Sequence, residues 1–344
     1  MLGDTSTDNT FADEVIQYFA STPLPENRII IHQPEETTGR SSMNQSVVII
    51  TTFRMNDAGY INKTLEAINE PLPVGAFLIG CFETFTARRA RKKVYQVPIV
   101  RHLLMLYEFI FLRALPRLKG LNKIYFFFSR GKDRLLSKAE MLGRLVCCGF
   151  EIMEYRSVNG LIWFLVKKKK RPEYDRNPSY GPVFAMPRIG AGGKIIHVYK
   201  MRTMHPYSEY LHEYMVSRNG YASSGKPAGD FRLTPWGKVL RKYWFDELPQ
   251  LFNLLKGDLK LVGVRPVGDA YFKTIPADLQ KLRLKQKPGC IPPYVALNMK
   301  SDVQSVQQAE RIYLLEKETH PFTTDFRYFA KALYNIILKQ KRSA

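Results

Sequence analysis

The run Lys167-Lys-Lys-Lys-Arg171 followed by Pro172 does most to limit how this chain can fold, because five adjacent cations and a proline do not pack inside a core. It reads as a charged linker that continues through the polar stretch to Tyr180 and divides the 344 residues in two. Each part is long enough to bury a core of its own. The expected organisation is a polar, loosely ordered lead-in over residues 1–45, a domain over 46–170, a basic linker over 171–180 and a second domain over 181–344. The linker run has two readings, a solvated connection or a contact with anionic lipid.

Lys and Arg outnumber Asp and Glu by 52 to 31, a net charge of +21 that calls for an anionic partner. Nucleic acid, an anionic membrane surface and a phosphorylated substrate are the classes to weigh. No zinc finger or RNA-recognition signature is present, so nucleic acid is not expected. Cys81, Cys147, Cys148 and Cys290 show no metal-finger spacing and include an adjacent pair, which fits a reducing cytoplasm better than a disulfide framework. The N-terminus lacks a basic stretch followed by an apolar run, so no secretory signal is expected. The most apolar windows, Leu103 to Leu112 and Leu161 to Val166, fall well short of the roughly 20 residues that span a bilayer, and no transmembrane helix is expected.

Within 46–166, Val47 to Ile50 and Gly75 to Cys81 read as buried strands, and Tyr60 to Asn69 and Ser137 to Val146 as helices. Gly149 to Tyr155 and Leu161 to Val166, joined across Asn159-Gly160, read as a hairpin. This α/β alternation closing on a hairpin resembles the second half of a Rossmann-like methyltransferase domain. It lacks a Gly-rich strand-to-helix turn for a nucleotide or methyl donor, so a scaffold or docking role without a cofactor is expected.

The second part opens with two strand-like runs around the turn Gly190-Ala-Gly-Gly193, a hairpin rather than a phosphate loop. The hairpin ends in Lys200, Arg202 and Thr203, a cluster suited to an anion. Further on, Thr234 caps a helix starting at Pro235, with Trp236, Val239 and Leu240 expected to face inward and Arg232 and Arg241 nearby. Asp246 and Glu247 then stand side by side. Adjacent carboxylates on a helix point in different directions, so one is able to attack while the other binds a metal or positions a partner. A pyrophosphate repels a carboxylate nucleophile unless cations neutralise it, and Lys200, Arg202, Arg232, Arg241 and Arg265 supply them. For an isolated Asp-Glu dipeptide a solvated helix would be the better reading, as would a surface ion pair for each Arg.

The strings VYKMRTM, DFRLTPWGKVLRK, FDELPQLFNLLKGDLKLVGVRP and KPG at 287–289, in this order, resemble the bacterial sugar-transferase family, the monotopic phosphoglycosyl transferases, over about residues 178–340. The resemblance implies an α+β catalytic domain in which Asp246 attacks a nucleotide sugar, probed first with uridine-diphosphate donors, to give a covalent phosphosugar-enzyme. A polyprenyl phosphate or other lipid phosphate then takes up the phosphosugar, the first membrane step of surface polysaccharide or glycoconjugate assembly. Glu247 is implied as partner in Mg2+ binding or in activating the acceptor, with Asp246 and Glu247 the metal ligands. Lys200, Arg202, Thr203, Arg232, Arg241 and Arg265 are implied at the phosphates. Members of the family carry a re-entrant membrane helix before the GPVF segment, whereas this chain has KKKKRPEYDRNPSY there. Val264 and CIPPYVALN also differ from the usual pattern. The expectation is therefore a cytoplasmic enzyme held peripherally on the inner face of the membrane through its basic surface and amphipathic helices, helped by a membrane-protein recruiter acting through 46–170. The alternative is a non-catalytic binding or regulatory homologue that has lost membrane engagement.

Overall fold

The computed structural model describes residues 5–37, 47–115, 120, 122–174, 181–220 and 227–339. The chain forms two compact units. The first comprises residues 1–180 together with 205–220 and 227–232, and the second the remainder. The segment 205–232 that sequence reading gives wholly to the second domain therefore contributes mostly to the first unit.

In the first unit, α1 (Thr5–Gln17), β1 (Arg28–Ile31), β2 (Val48–Arg54), α2 (Ile61–Asn69) and β3 (Phe77–Phe82) are followed by α3 (Phe85–Arg91) and α4 (Pro98–Tyr107). A π-helical stretch continues α4 over Glu108–Ala114, and α5 (Asn122–Ser129), α6 (Lys138–Cys147), β4 (Phe150–Val158), β5 (Leu161–Lys168) and α7 (His212–Asn219) complete the unit. The sheet order is β1-β2-β3-β5-β4. The first three strands are parallel, and β5 runs antiparallel between β3 and β4. All six residues of β3 are buried, because helices cover both faces of the central strand. On one face Ile49, Leu78 and Phe164 pack with Ile61, Leu65 and Ile68 of α2 and with α6. On the other, Val48, Ile50, Ile79 and Leu165 pack with Ala12, Val15 and Phe19.

Those last contacts correct the reading of residues 1–45 as a loose lead-in. The segment supplies an edge strand and a helix whose single apolar stripe closes one face of the sheet. Four or five apolar residues at helical spacing suffice for that, and the polar composition around them hides the stripe. The basic run is corrected too. Lys167 and Lys168 end β5, and the ammonium of the buried Lys168 donates to the carbonyls of Asn69 and Leu72 at 2.7 and 2.6 Å. Lys169 and Lys170 pair with Glu151 and Glu173. Most of the expected linker, residues 175–180, lies outside the described residues.

In the second unit β6 (Val183–Ile189) and β7 (Ile195–Met201) form an antiparallel ribbon. It is followed by α8 (Pro235–Lys242), α9 (Gln250–Leu255), β8 (Lys260–Val262), α10 (Asp269–Phe272), α11 (Ala277–Leu284), β9 (Gly289–Ile291), α12 (Pro293–Ala296), α13 (Val303–Thr319) and α14 (Thr324–Ile337). Strands β8 and β9 pair in parallel. The core joins Val262, Val264, Leu279, Tyr294, Tyr313 and Tyr328 across α11 to α14.

Helix α8 starts as its sequence says, with the Thr234 hydroxyl accepting from the Gly237 N–H at 2.9 Å. Its inward face is different from the expected one. Trp236 and Val239 are 41% and 53% exposed, Leu240 is partly buried, and the fully packed residue is Gly237. A Cβ on Gly237 would lie 2.1 Å from the Thr203 carbonyl oxygen, so the helix packs through Thr234, Gly237 and Arg241, and its apolar side chains turn to solvent.

Candidate active site

The two carboxylates sit on a short 3-10 turn, Phe245–Glu247, entered through Trp244 in the left-handed region at φ 60°. A bulky residue in that conformation is strained unless its surroundings hold it. Here the Trp244 ring packs on the core of the second unit, and its carbonyl accepts from the Glu247 N–H at 3.0 Å. Helix α9 follows directly and is tied to the ribbon by one buried side chain. Asn253 accepts from the Tyr199 N–H at 3.0 Å and donates to the His197 carbonyl at 2.7 Å. The edge of β7 thereby fixes the turn that carries the dyad.

From β7, Lys200 donates to Glu247 Oε1 at 2.5 Å. Asp246 is partly buried, and burial together with the charge of Glu247 holds its carboxyl above the usual carboxylate range, against the pull of Lys200 and Arg241. Arg241 is aimed by the buried Thr203, whose hydroxyl accepts from its Nε at 3.0 Å.

The alternation of the ribbon puts Met186, Arg188, Val198 and Lys200 on one face, with Met186 opposite Val198 and Phe184 opposite Lys200. This face, with Glu247, Gln250, Arg265, Pro266, Gly289 and Cys290, lines a cleft. Gly289 belongs to the Lys287-Pro288-Gly289 string, and its reason is local: a Cβ there would meet the Gly263 nitrogen at 2.1 Å. The Arg265 backbone is held from beneath by a buried Arg283–Glu310 ion pair. Arg283 donates to the Arg265 carbonyl at 2.5 Å, and Glu310 accepts from the Arg265 N–H at 3.3 Å. Among the described residues neither Arg188 nor Arg265 has a carboxylate partner. Burial and the charge of Arg265 lower the Arg188 pKa, which marks the cleft as cation-rich. Burial pushes the Cys290 thiol up to about 11, so it is no ready nucleophile.

Of the residues singled out from sequence, Lys200, Glu247 and Arg265 line the cleft, Asp246 stands next to Glu247 outside that lining, and Arg241 acts electrostatically on the Asp246 carboxyl. Arg202 lies over the Phe184 ring at 5.2 Å and donates to the Gly181 carbonyl, while Thr203 serves as an anchor for Arg241 and α8. Arg232 belongs to the first unit, where it is buried and holds Asp230 through two hydrogen bonds of 2.8 and 2.7 Å. Sequence reading missed Arg188, Gln250, Asn253, Arg283 and Glu310. Ribbon parity with Lys200 is the signal that would have found Arg188, whereas Arg283 and Glu310 come together only through the packing of α11 on α13.

Among the described residues no group of three or more His, Cys, Asp or Glu side chains gathers in a metal-holding arrangement. Two carboxylates at an edge of a cationic cleft still suit Mg2+, which takes one or two protein carboxylates and completes its shell with water and substrate phosphates.

Residues 176–339 match the model of the bacterial sugar transferase family. The chain is 41% identical over 112 residues to a galactosyl transferase of Streptococcus agalactiae serotype III, covering 32% of this chain and 24% of that protein. It is 43% identical over 89 residues to the UDP-N-acetylgalactosamine-undecaprenyl-phosphate N-acetylgalactosaminephosphotransferase of Aeromonas hydrophila, covering 26% and 19%. It is 36% identical over 114 residues to the UDP-glucose:undecaprenyl-phosphate glucose-1-phosphate transferase of Caulobacter vibrioides, covering 32% and 39%. The matches thus span about a fifth to two fifths of these relatives. No helix among the described residues is long and apolar enough to cross a membrane.

Proposed function

We propose that the protein moves a sugar 1-phosphate from a nucleotide sugar to a polyprenyl phosphate, through a phosphosugar carried on Asp246. The observation that carries this reading is the half-buried Asp246 beside the Lys200–Glu247 pair, which lines a cleft to which Arg188 and Arg265 bring cations that have no carboxylate partner among the described residues. A carboxylate oxygen of Asp246 attacks the phosphorus that bears the sugar, and the bond from that phosphorus to the bridging oxygen breaks. The nucleoside monophosphate leaves with the electron pair. An oxygen of the lipid phosphate then attacks the same phosphorus, returning the carboxylate and forming a lipid diphosphate sugar.

Lys200 neutralises Glu247 and favours the ionised form of Asp246, while Arg188 and Arg265 offset the charge of the two phosphates. Mg2+, held by Asp246 and Glu247, would supply further charge neutralisation at the phosphate oxygens. Around the dyad Phe245, Leu248, Leu251, Phe252 and Leu255 are about half exposed or more, an apolar border that suits a lipid acceptor. The acceptor is supported by the undecaprenyl phosphate in the names of relatives, and the donor by the UDP-sugars there. A place on the inner face of the membrane, in the first step of surface polysaccharide assembly, follows from the same reading. The antiparallel β5 between β3 and β4 supports the methyltransferase-like reading of the first unit's fold.

The test is to incubate the protein with Mg2+ and a panel of uridine-diphosphate sugars, with and without polyprenyl phosphate, and to measure uridine monophosphate release. Release that falls at least about 10³-fold in Asp246→Asn is expected. No release from any donor, with membranes added, would leave the non-catalytic alternative.

A further inference from the structure

Between β3 and α6 the chain makes a long excursion, residues 85–134, and none of its described residues belongs to the two core clusters of the first unit. Helix α4 has no buried residue, although its sequence is strongly apolar. Ile99, Leu103, Leu106, Tyr107, Ile110 and Phe111 follow one another at helical spacing, and all are 40–76% exposed. In a helix packed on a soluble core this stripe would face inward. On α5, Phe127 and Phe128 are 80% and 81% exposed, while the same helix buries Tyr125. The apolar residues are therefore displayed rather than left over.

The charge of the same segment narrows what it displays them to. Residues 85–134 hold thirteen Lys or Arg against two acids, which is half of the net charge of the chain in a seventh of its length. Both acids are spent internally. The buried Glu108 pairs with Arg88 and Arg89, and Asp133 pairs with Arg88. Lys93, Arg101, Lys123, Arg130 and Lys132 remain exposed around the apolar residues. An amphipathic surface with large apolar side chains and a cationic border matches an anionic bilayer interface, where rings enter the headgroup boundary and cations meet lipid phosphates. An acidic protein would match the cations but not a stripe of solvent-facing Ile, Leu and Phe over two helices.

We infer that the exposed apolar and basic side chains of α4, its π-helical continuation and α5 form an interfacial lipid-binding surface, by which the first unit itself docks on anionic membrane. This goes beyond the transferase reading and is tested without turnover.

The full chain is mixed with vesicles of phosphatidylcholine alone or with phosphatidylglycerol at one part in three, and pelleted. Binding to the anionic vesicles only, weakened by salt, is expected. The pairs Leu103→Gln with Leu106→Gln and Phe127→Ser with Phe128→Ser should each weaken it at least about ten-fold, whereas Val74→Gln, at an exposed apolar residue outside this surface, should not. Hydrogen exchange on the unaltered chain guards against misfolded variants: amides of α4 and α5 should gain protection with anionic vesicles. Failure of the unaltered chain to bind, or binding that survives both pairs, would overturn the inference. Protection that appears only when the vesicles carry integral membrane proteins would overturn it in favour of a protein partner.

Discussion

The carboxyl ends of the parallel strands in the first unit and the cleft of the second unit are both rich in charge, and they dispose of it in opposite ways. In the first unit Arg54 and Arg91 both reach the buried Glu83, Arg54 also holds Asp57, and Asn56 exchanges hydrogen bonds with the Glu83 backbone at 2.7 and 2.8 Å. Each cation there meets a carboxylate of the same unit. In the second unit Lys200 meets Glu247, while Arg188 and Arg265 face the cleft with no such partner among the described residues, and burial strains the ionisation of Asp246. A closed network stabilises a fold, and an open one leaves its charge for something that arrives. The position of a ligand site in an α/β sheet, at the strand carboxyl ends, is filled in the first unit by its own side chains.

The sharpest way to break this contrast is to remove one carboxylate from each side. Asp246→Asn should abolish nucleoside monophosphate release while leaving the fold intact or slightly firmer. A carboxyl whose folded pKa is raised contributes stability that is fully present at pH below its unfolded value and is lost as pH rises through the folded pKa. At neutral pH the ionised side chain therefore costs stability that Asn does not. A melting temperature unchanged or higher by about 1–3 °C is expected. Glu83→Ala should do the reverse, costing about 2–4 kcal/mol in denaturant titration, with turnover per folded molecule unchanged. If Glu83→Ala abolished release in protein that remained folded, the first unit would not be the closed one.

Next in size are the open cations. Arg265→Met and Arg188→Met should each lower kcat/KM about 10- to 100-fold and alter stability by less than about 0.5 kcal/mol, since neither breaks an ion pair. A large loss of stability in either would show that its charge supports the fold.

How far the sequence carried this contrast can be judged from particular residues. The strands and helices around Ile49, Leu65, Leu78 and Val166 follow from periodicity, as do the Asn159-Gly160 hairpin and the Thr234 cap. Side chains whose direction is decided by a distant neighbour did not follow. Trp236 and Val239 face outward because Gly237 must meet the Thr203 carbonyl, a contact between residues 34 positions apart. Arg232 looked equivalent to Arg241, yet one holds Asp230 and the other Thr203. Charge alone does not distinguish a cation that has found its partner from one that has not.

The basic run makes the same point on the scale of single lysines. Lys168 is buried, with its pKa lowered mainly by loss of solvent, and it caps two carbonyls, whereas Lys169 and Lys170 make exposed pairs. Lys168→Ala should destabilise by about 2 kcal/mol, because it leaves the Asn69 and Leu72 carbonyls without this donor. Lys169→Ala and Lys170→Ala should stay within about 0.5 kcal/mol. Equal effects in a thermal melt would return all three to the linker.

The finest test asks whether Asp246 really responds to its two charged neighbours. Attack needs the ionised carboxylate, so the acid limb of kcat/KM should report the Asp246 carboxyl, whose pKa its protein surroundings raise and a bound Mg2+ would lower. Lys200 lowers that pKa and Glu247 raises it. Lys200→Met should therefore move the limb to higher pH, and Glu247→Gln should move it to lower pH, whatever each does to the maximal rate. A purely structural role for the Lys200–Glu247 pair predicts otherwise: breaking a 2.5 Å ion pair from either end would loosen the turn in the same way and leave the limb where it was. Opposite displacements would tie the limb to the carboxyl of Asp246, and a limb indifferent to both would mean that some other ionisation limits the reaction.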